Sequence, residues 1–201
     1  MAVSVIHLPP ELYPSSLDAN VEFNNIVHTS PYNGAEQIEE RPGDRWVFKF
    51  SYSDLDRVEA RHLQAFILSL RGVAGRFYAK DYAFFDIQGD ISGSPKVDGS
   101  LNAGSVCKIK DVQRNRDIFK IGDYVKISGR LHMITRPIRS DAAGKAELVF
   151  SPPMRTVPLD NATIEYRDFT VTCRLKDNKQ GRRSSKGDLS NSISFEAIEV
   201  F

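Results

Sequence analysis

The chain has 201 residues, 41% of them apolar, with 27 Lys and Arg against 26 Asp and Glu for a formal net charge of +1. That composition excludes wholesale disorder, and the lack of a basic excess argues against a dedicated duplex nucleic-acid binder. No apolar run approaches the ~20 residues that span a bilayer, and the first residues, MAVSVIHLPPELYP, lack the basic and apolar blocks of a secretory signal.

Residues 1–20, with Pro9, Pro10 and Pro14, read as an extended arm whose apolar patch, Val3 to Ile6, suits strand addition to a neighbour. Val21, Phe23 and Val27 make a weak strand ending at the turn cluster Ser30-Pro31-Tyr32-Asn33-Gly34. Beyond Pro42-Gly43-Asp44, Trp46, Phe48, Phe50 and Tyr52 alternate, which puts four rings on one buried strand face. Residues 54–71 change to helical spacing, with Leu55, Val58, His62, Leu63, Phe66, Ile67 and Leu70 as one stripe. Ser53 or Asp56 can cap this helix, with Glu59 in capping-box register to Asp56, and Gly72 suits the left-handed position after it. A short strand is expected at Arg76–Ala79.

Residues 86–104 are rich in Gly, Ser and Asp and read as a linker or domain entry. Short strands are expected next at 105–112, 122–128, 130–138, 145–151 and 162–166. Ser128-Gly129-Arg130 forms a tight hairpin, and Pro152-Pro153 stops the fourth strand. Five strands in this span suit a small OB-like barrel, although a small sandwich would look the same. Phe169, Val171, Cys173 and Leu175 alternate, and a polar basic loop follows from Lys176 to Asn191. Ile193, Phe195 and Ala197 close the chain, with an apparent bulge between Ala197 and Ile198. The last strands are too few to stand alone, so they should join the N-terminal sheet. The expected class is mainly β (α+β). A discontinuous domain, residues 1–86 and 167–201, carries the one long helix, and 87–166 is inserted into it.

Enzyme templates find little. There is no G-x-S-x-G elbow, Walker A sequence or nucleotide-binding glycine pattern. His7, His28, His62 and His132 are scattered without zinc-ligand spacing. Asp86 and Asp90 fail as a calcium loop, because Ile91 stands where glycine is needed and Val97 where Glu is needed. Glu39 and Glu40, with Glu36 nearby, read as a solvated face, since adjacent glutamates on a strand point oppositely. Cys107 and Cys173 make no disulfide framework and read as buried thiols. No catalytic residue, metal site or cofactor is expected. The basic segment 176–188, with Lys179, Arg182, Arg183 and Lys186, is the candidate partner-docking loop, suited to an acidic neighbour subunit. Single-strand nucleic-acid binding would also need exposed rings. Phe119, Tyr124, Phe150 and Tyr166 look too strand-embedded for that.

Several stretches together resemble the distal tail proteins of long-tailed phages with non-contractile tails, in the form with an inserted OB-like domain. They are Ser30-Pro31-Tyr32-Asn33-Gly34, Pro42-Gly43-Asp44-Arg45-Trp46, and Leu63-Gln64-Ala65-Phe66-Ile67 running into Arg71-Gly72-Val73-Ala74-Gly75-Arg76-Phe77. Gly122-Asp123-Tyr124-Val125-Lys126-Ile127, Gly129-Arg130-Leu131, Pro158-Leu159-Asp160-Asn161-Ala162 and Ile193-Ser194-Phe195-Glu196-Ala197 follow in order. The resemblance implies a virion protein, made in the host cytoplasm, that forms a homohexameric ring. That ring would join the tail tube protein to the tail-tip or baseplate hub protein, with the inserted barrels projecting outward. The alternative is a carbohydrate- or receptor-binding tail protein whose barrel meets host-surface glycans. Neither reading calls for a membrane or for sequence-specific nucleic acid.

Overall fold

The computed structural model describes residues 5–82, 84, 86–99, 102–167, 170–186 and 190–200. Part of the Val3–Ile6 patch, Phe169 and part of the segment 176–188 lie outside them. The protein is mainly β, its sheets curl into half-barrels, and one α-helix lies among the described residues. The strands are β1 (Val5–His7), β2 (Ser16–Glu22), β3 (Ile26–Thr29), β4 (Glu36–Glu39), β5 (Arg45–Leu55), β6 (Arg76–Ala79), β7 (Lys96–Val97) and β8 (Gly104–Lys110). They continue as β9 (Asp117–Phe119), β10 (Tyr124–Ile127), β11 (Arg130–Ile134), β12 (Ile138–Arg139) and β13 (Ala146–Met154). Three more, β14 (Val171–Leu175), β15 (Arg183–Lys186) and β16 (Ser190–Glu199), end the chain, and the helix α1 spans Arg57–Ser69.

The main sheet has the order β1-β6-β14-β16-β5-β2, with β15 also on β16. Both chain ends meet in it, as β16 pairs with β5 through Phe195↔Phe50 and β14 pairs with β6 through Cys173↔Phe77. Trp46, Phe48, Phe50 and Tyr52 are all buried, as their alternation predicts. The Phe50 and Phe195 rings stack at 5.1 Å, and Phe77 meets Phe66 of α1 edge-on at 5.6 Å. Asp56 caps α1 by accepting from the N–H groups of Val58 and Glu59, while the Glu59 carboxylate accepts from the Asp56 N–H at 3.0 Å. This reciprocal box satisfies orphan donors at the helix start.

Several expectations are corrected in this half. Residues 5–22 are no free arm: β1 lies parallel to β6, β2 pairs with β5 along its length, and Leu8 and Leu12 are buried. The expected strand at 21–27 is instead the end of β2 and the start of β3, which belong to different sheets. On α1, Val58 and His62 are exposed and Ala60 is buried, so the inward stripe is Ala60, Leu63, Phe66, Ile67 and Leu70. Gly72 is left-handed as expected (φ 69°), and Arg71 before it is left-handed as well (φ 52°). No register shift occurs at Ala197/Ile198; it lies at Asn191/Ile193, and Glu199 keeps the inward parity.

The inserted residues form a five-stranded sheet, β10-β11-β13-β8-β7, and a small pair, β12-β9. Their core, with Val97, Ile109, Ile118, Phe119, Ile127, Leu148 and Phe150, is separate from that of the main sheet. Among the described residues, only Tyr124, Leu131 and Met133 of the insert belong to or pack against the main apolar core. Ser128 and Gly129 both take positive φ and close the expected hairpin. Residues 86–99 and 102–104 are packed structure: the Gln88 and Gly89 N–H groups donate to the buried Asp123 carboxylate, and β7 pairs with β8. Gly89 is required there, since a Cβ would lie 2.1 Å from the Ile118 carbonyl oxygen. The 130–138 strand divides into β11 and β12, and 162–166 contributes only isolated bridges, Lys96↔Thr163 and Lys126↔Glu165. Pro152 and Pro153 do not stop β13; they sit where its register with β8 shifts, a position at which missing donors break no ladder bond.

Candidate functional site

The candidate docking loop follows β14 and is held by its own polar side chains. The Asp177 carboxylate accepts from the Lys179 N–H at 2.6 Å and the Gln180 amide at 2.7 Å, which holds it below the usual carboxylate range. The Asn178 side-chain oxygen accepts from the Val73 N–H at 3.1 Å, and the Gln180 side-chain amide oxygen accepts from the Glu196 N–H at 2.9 Å. Gly181 (φ 78°) presses against α1, where a Cβ would meet Ile67 Cγ2 at 2.6 Å. The backbone is therefore pinned, while Lys179, Arg182 and Arg183 are exposed.

Part of the expected loop is strand. Residues Arg183–Lys186 form β15, paired with Ser190–Ile193 of β16. Its polar sequence concealed this, because an exposed edge strand needs backbone pairing and no apolar alternation. Lys186 lies in β15 and pairs with Ser190. Lys176 takes no part in the exposed group, because its ammonium is shared between Glu196 at 3.0 Å and Glu22 at 3.2 Å, which raises its pKa.

A second surface is the β3–β4 hairpin, whose strands pair only with each other among the described residues. The turn at Ser30–Gly34 closes it, with the Gly34 N–H donating to the Ser30 carbonyl at 3.0 Å. Val27 and Ile38 stand directly opposite each other and are 53% and 62% exposed, and Tyr32 at the tip is 97% exposed. Glu36 to Glu39 are all exposed, as expected of a solvated face. Glu39 binds Arg41 through two bonds of 2.9 Å and faces His28 at 3.3 Å, which lowers its pKa.

The seam between the two halves is polar. Glu199, at the end of β16, has a side chain 3% exposed and binds the Arg130 guanidinium, 12% exposed, at 3.0 Å and 3.4 Å. Arg130 also donates to the Asp44 carbonyl at 3.1 Å, as does Arg155. Burial and the neighbouring Arg130 draw the Arg155 pKa down to about 10. Trp46 donates its backbone N–H to Glu199 at 3.3 Å and its indole N–H to the Leu131 carbonyl at 2.9 Å. Beside it, the Tyr124 hydroxyl donates to Asp81 at 3.0 Å, and burial pushes the Tyr124 pKa up. A cleft of about 480 Å³ opens there, lined by Leu17, Val21, Phe23, Trp46, Tyr124 and Met133 among others. None of this was legible in advance, since Arg130 and Glu199 are 69 residues apart.

The histidines stay separate. His7 lies against Tyr78, His28 faces Glu39, His62 is 3.8 Å from Glu11, and His132 is buried. Among the described residues no group of three or more His, Cys, Asp and Glu is placed to hold a metal ion. Cys107 and Cys173 are buried free thiols, and burial raises Cys107 to about 11. Phe119, Tyr124, Phe150 and Tyr166 are all buried, so none offers a stacking platform. Among the described residues no helix is long and apolar enough to cross a membrane. No family model matches the sequence, and no curated protein matches it.

Proposed function

We propose that this chain is a structural subunit of a phage tail tip. Six copies close into a ring that joins the distal end of the tail tube to the hub, and the insert is an OB-like barrel projecting from that ring. It works by assembly and catalyses nothing. The observation that carries this reading is the β3–β4 hairpin. A two-stranded hairpin is at best marginally stable by itself in water, yet among the described residues this one has no third strand, and it exposes Val27, Tyr32 and Ile38. Such an element gains its stability from a partner surface. The main sheet adds two edge strands, β1 and β2, each paired on one side, and unpaired edges are templates for strand addition.

Electron microscopy of the purified protein, alone and mixed with tail tube protein, tests the reading. Six-fold rings, free or capping tube ends, are expected. Dispersed single subunits in both samples would overturn it.

A further inference from the structure

The acidic hairpin and the basic strand lie toward opposite ends of β5. The β3–β4 hairpin leaves the main sheet where Glu22 pairs with Arg45, at the start of β5. It carries Glu36 and Glu39, with Glu40 just after β4. The basic strand β15 starts opposite Ile193, whose β5 partner is Tyr52, and passes Asn191, whose partner is Leu55. Seven to ten strand residues separate these levels, about 23–33 Å along β5 at the usual rise. Within one chain the two charged surfaces stand apart, with the side chains of Glu36, Glu40, Arg182 and Arg183 all exposed.

We propose that the β3–β4 hairpin of one copy docks on the β15 surface of the next, with Glu36 and Glu40 meeting Arg182 and Arg183. The occupant is a second copy of this chain because its own surface supplies the matching charge. The same face of the hairpin carries Val27, Ile38 and Glu36, since alternate strand residues share a side. Exposed Leu68, next in α1 to the Ile67 that contacts Gly181, offers a matching apolar contact. A contact between two different surfaces of one chain is heterologous, and it closes into a ring when the rotation per subunit allows. The inference rests on the ring reading and names the contact that builds the ring.

Cross-linking tests it on the full chain. Thr29→Cys sits on the apolar hairpin face and Ser184→Cys on β15, both exposed positions, while the native Cys107 and Cys173 are buried. Treatment of T29C/S184C with a short bismaleimide should give a ladder of covalent oligomers that stops at one size. Mixing the two single variants should give dimers, and each single variant alone should give none. If the wild type sediments as a ring but the double variant gives no ladder, the contact is wrong and the ring reading survives. A ladder without a final size supports the contact and overturns the closed ring. Monomers with no ladder, with and without tail tube protein, overturn both.

Charge reversal is the second arm. E36K/E40K and R182E/R183E should each weaken self-association on the order of a hundredfold, by placing like charges together. Combining them should restore it. Unchanged Trp46 emission shows that each variant is folded. Reversal without effect, in protein that still assembles, overturns the contact.

Discussion

The main sheet is packed around aromatic rings, while the insert is packed around branched aliphatics. Trp46, Phe48, Phe50, Tyr52, Phe66, Phe77 and Phe195 fill the first core. Val97, Ile109, Ile118, Val125, Ile127, Ile134 and Ile164 dominate the second. Between them lies a seam of charge and hydrogen bonds, with Arg130, Arg155, Glu199 and Asp44 at its centre. Apolar packing is non-directional, whereas a forked guanidinium–carboxylate pair fixes orientation. The contrast teaches that each half has its own core, and that the seam sets how the insert is aimed.

Breaking the seam should have the largest effect. Arg130→Met leaves the Glu199 carboxylate buried without its main counter-charge and should cost about 3–5 kcal/mol. The sole tryptophan, Trp46, bonds across the seam to Leu131. Its emission should therefore shift to the red at lower urea than in the wild type. Adding Glu199→Gln should recover much of the loss, because a neutral amide needs no counter-charge. Urea titrations followed by fluorescence measure both effects.

Acid should weaken the insert next. His132 is buried, its Nδ1 lies 2.7 Å from the Pro152 carbonyl oxygen, and burial draws its pKa down to about 4. The unfolded chain takes up a proton near the ordinary value of about 6.5, while the folded imidazole stays neutral until about pH 4. Its contribution to stability is therefore complete above 6.5 and falls as the pH drops, by about 3 kcal/mol at pH 4. His132→Asn should flatten the urea midpoint across that window. Hydrogen exchange should place the acid loss in β10, β11 and β13 before the main sheet.

Two smaller effects should stay in the other half. Asp56→Ala removes the acceptor that caps α1 and should cost about 1–2 kcal/mol, read as a lower melting temperature. The Tyr52 hydroxyl is buried without a hydrogen-bond partner among the described residues. Tyr52→Phe should stabilise the protein by up to about 1 kcal/mol. If either change altered exchange in the insert as strongly as in the main sheet, the two cores would be one cooperative unit.

Signals that are local in chemistry were readable from the sequence. The ring alternation of β5, the Asp56–Glu59 box and the Ser128-Gly129 turn each depend on neighbours within a few residues. The pairing of β1 with β6 and of β2 with β5 was hidden, because Pro9, Pro10 and Pro14 suggested an arm and the partner strands lie far along the chain. Strand β15 was hidden because its polar residues carry no apolar alternation; backbone pairing and a Ser185–Asn191 side-chain hydrogen bond hold it to β16. The apparent slip near Ile198 has the same kind of cause. Glu199 holds an inward position normally taken by an apolar residue, where it meets Arg130 of the insert and the Trp46 N–H. The basic residues of the candidate docking loop were visible as charge, but the anchoring of Gly181 on α1 and their separation from the acidic hairpin needed the fold.

Assembly is the central claim, and native mass spectrometry tests it most directly. One dominant closed species with the mass of six 22.6 kDa chains is expected, formed by the protein alone or on addition of tail tube protein. Monomer at every concentration in both conditions would contradict it.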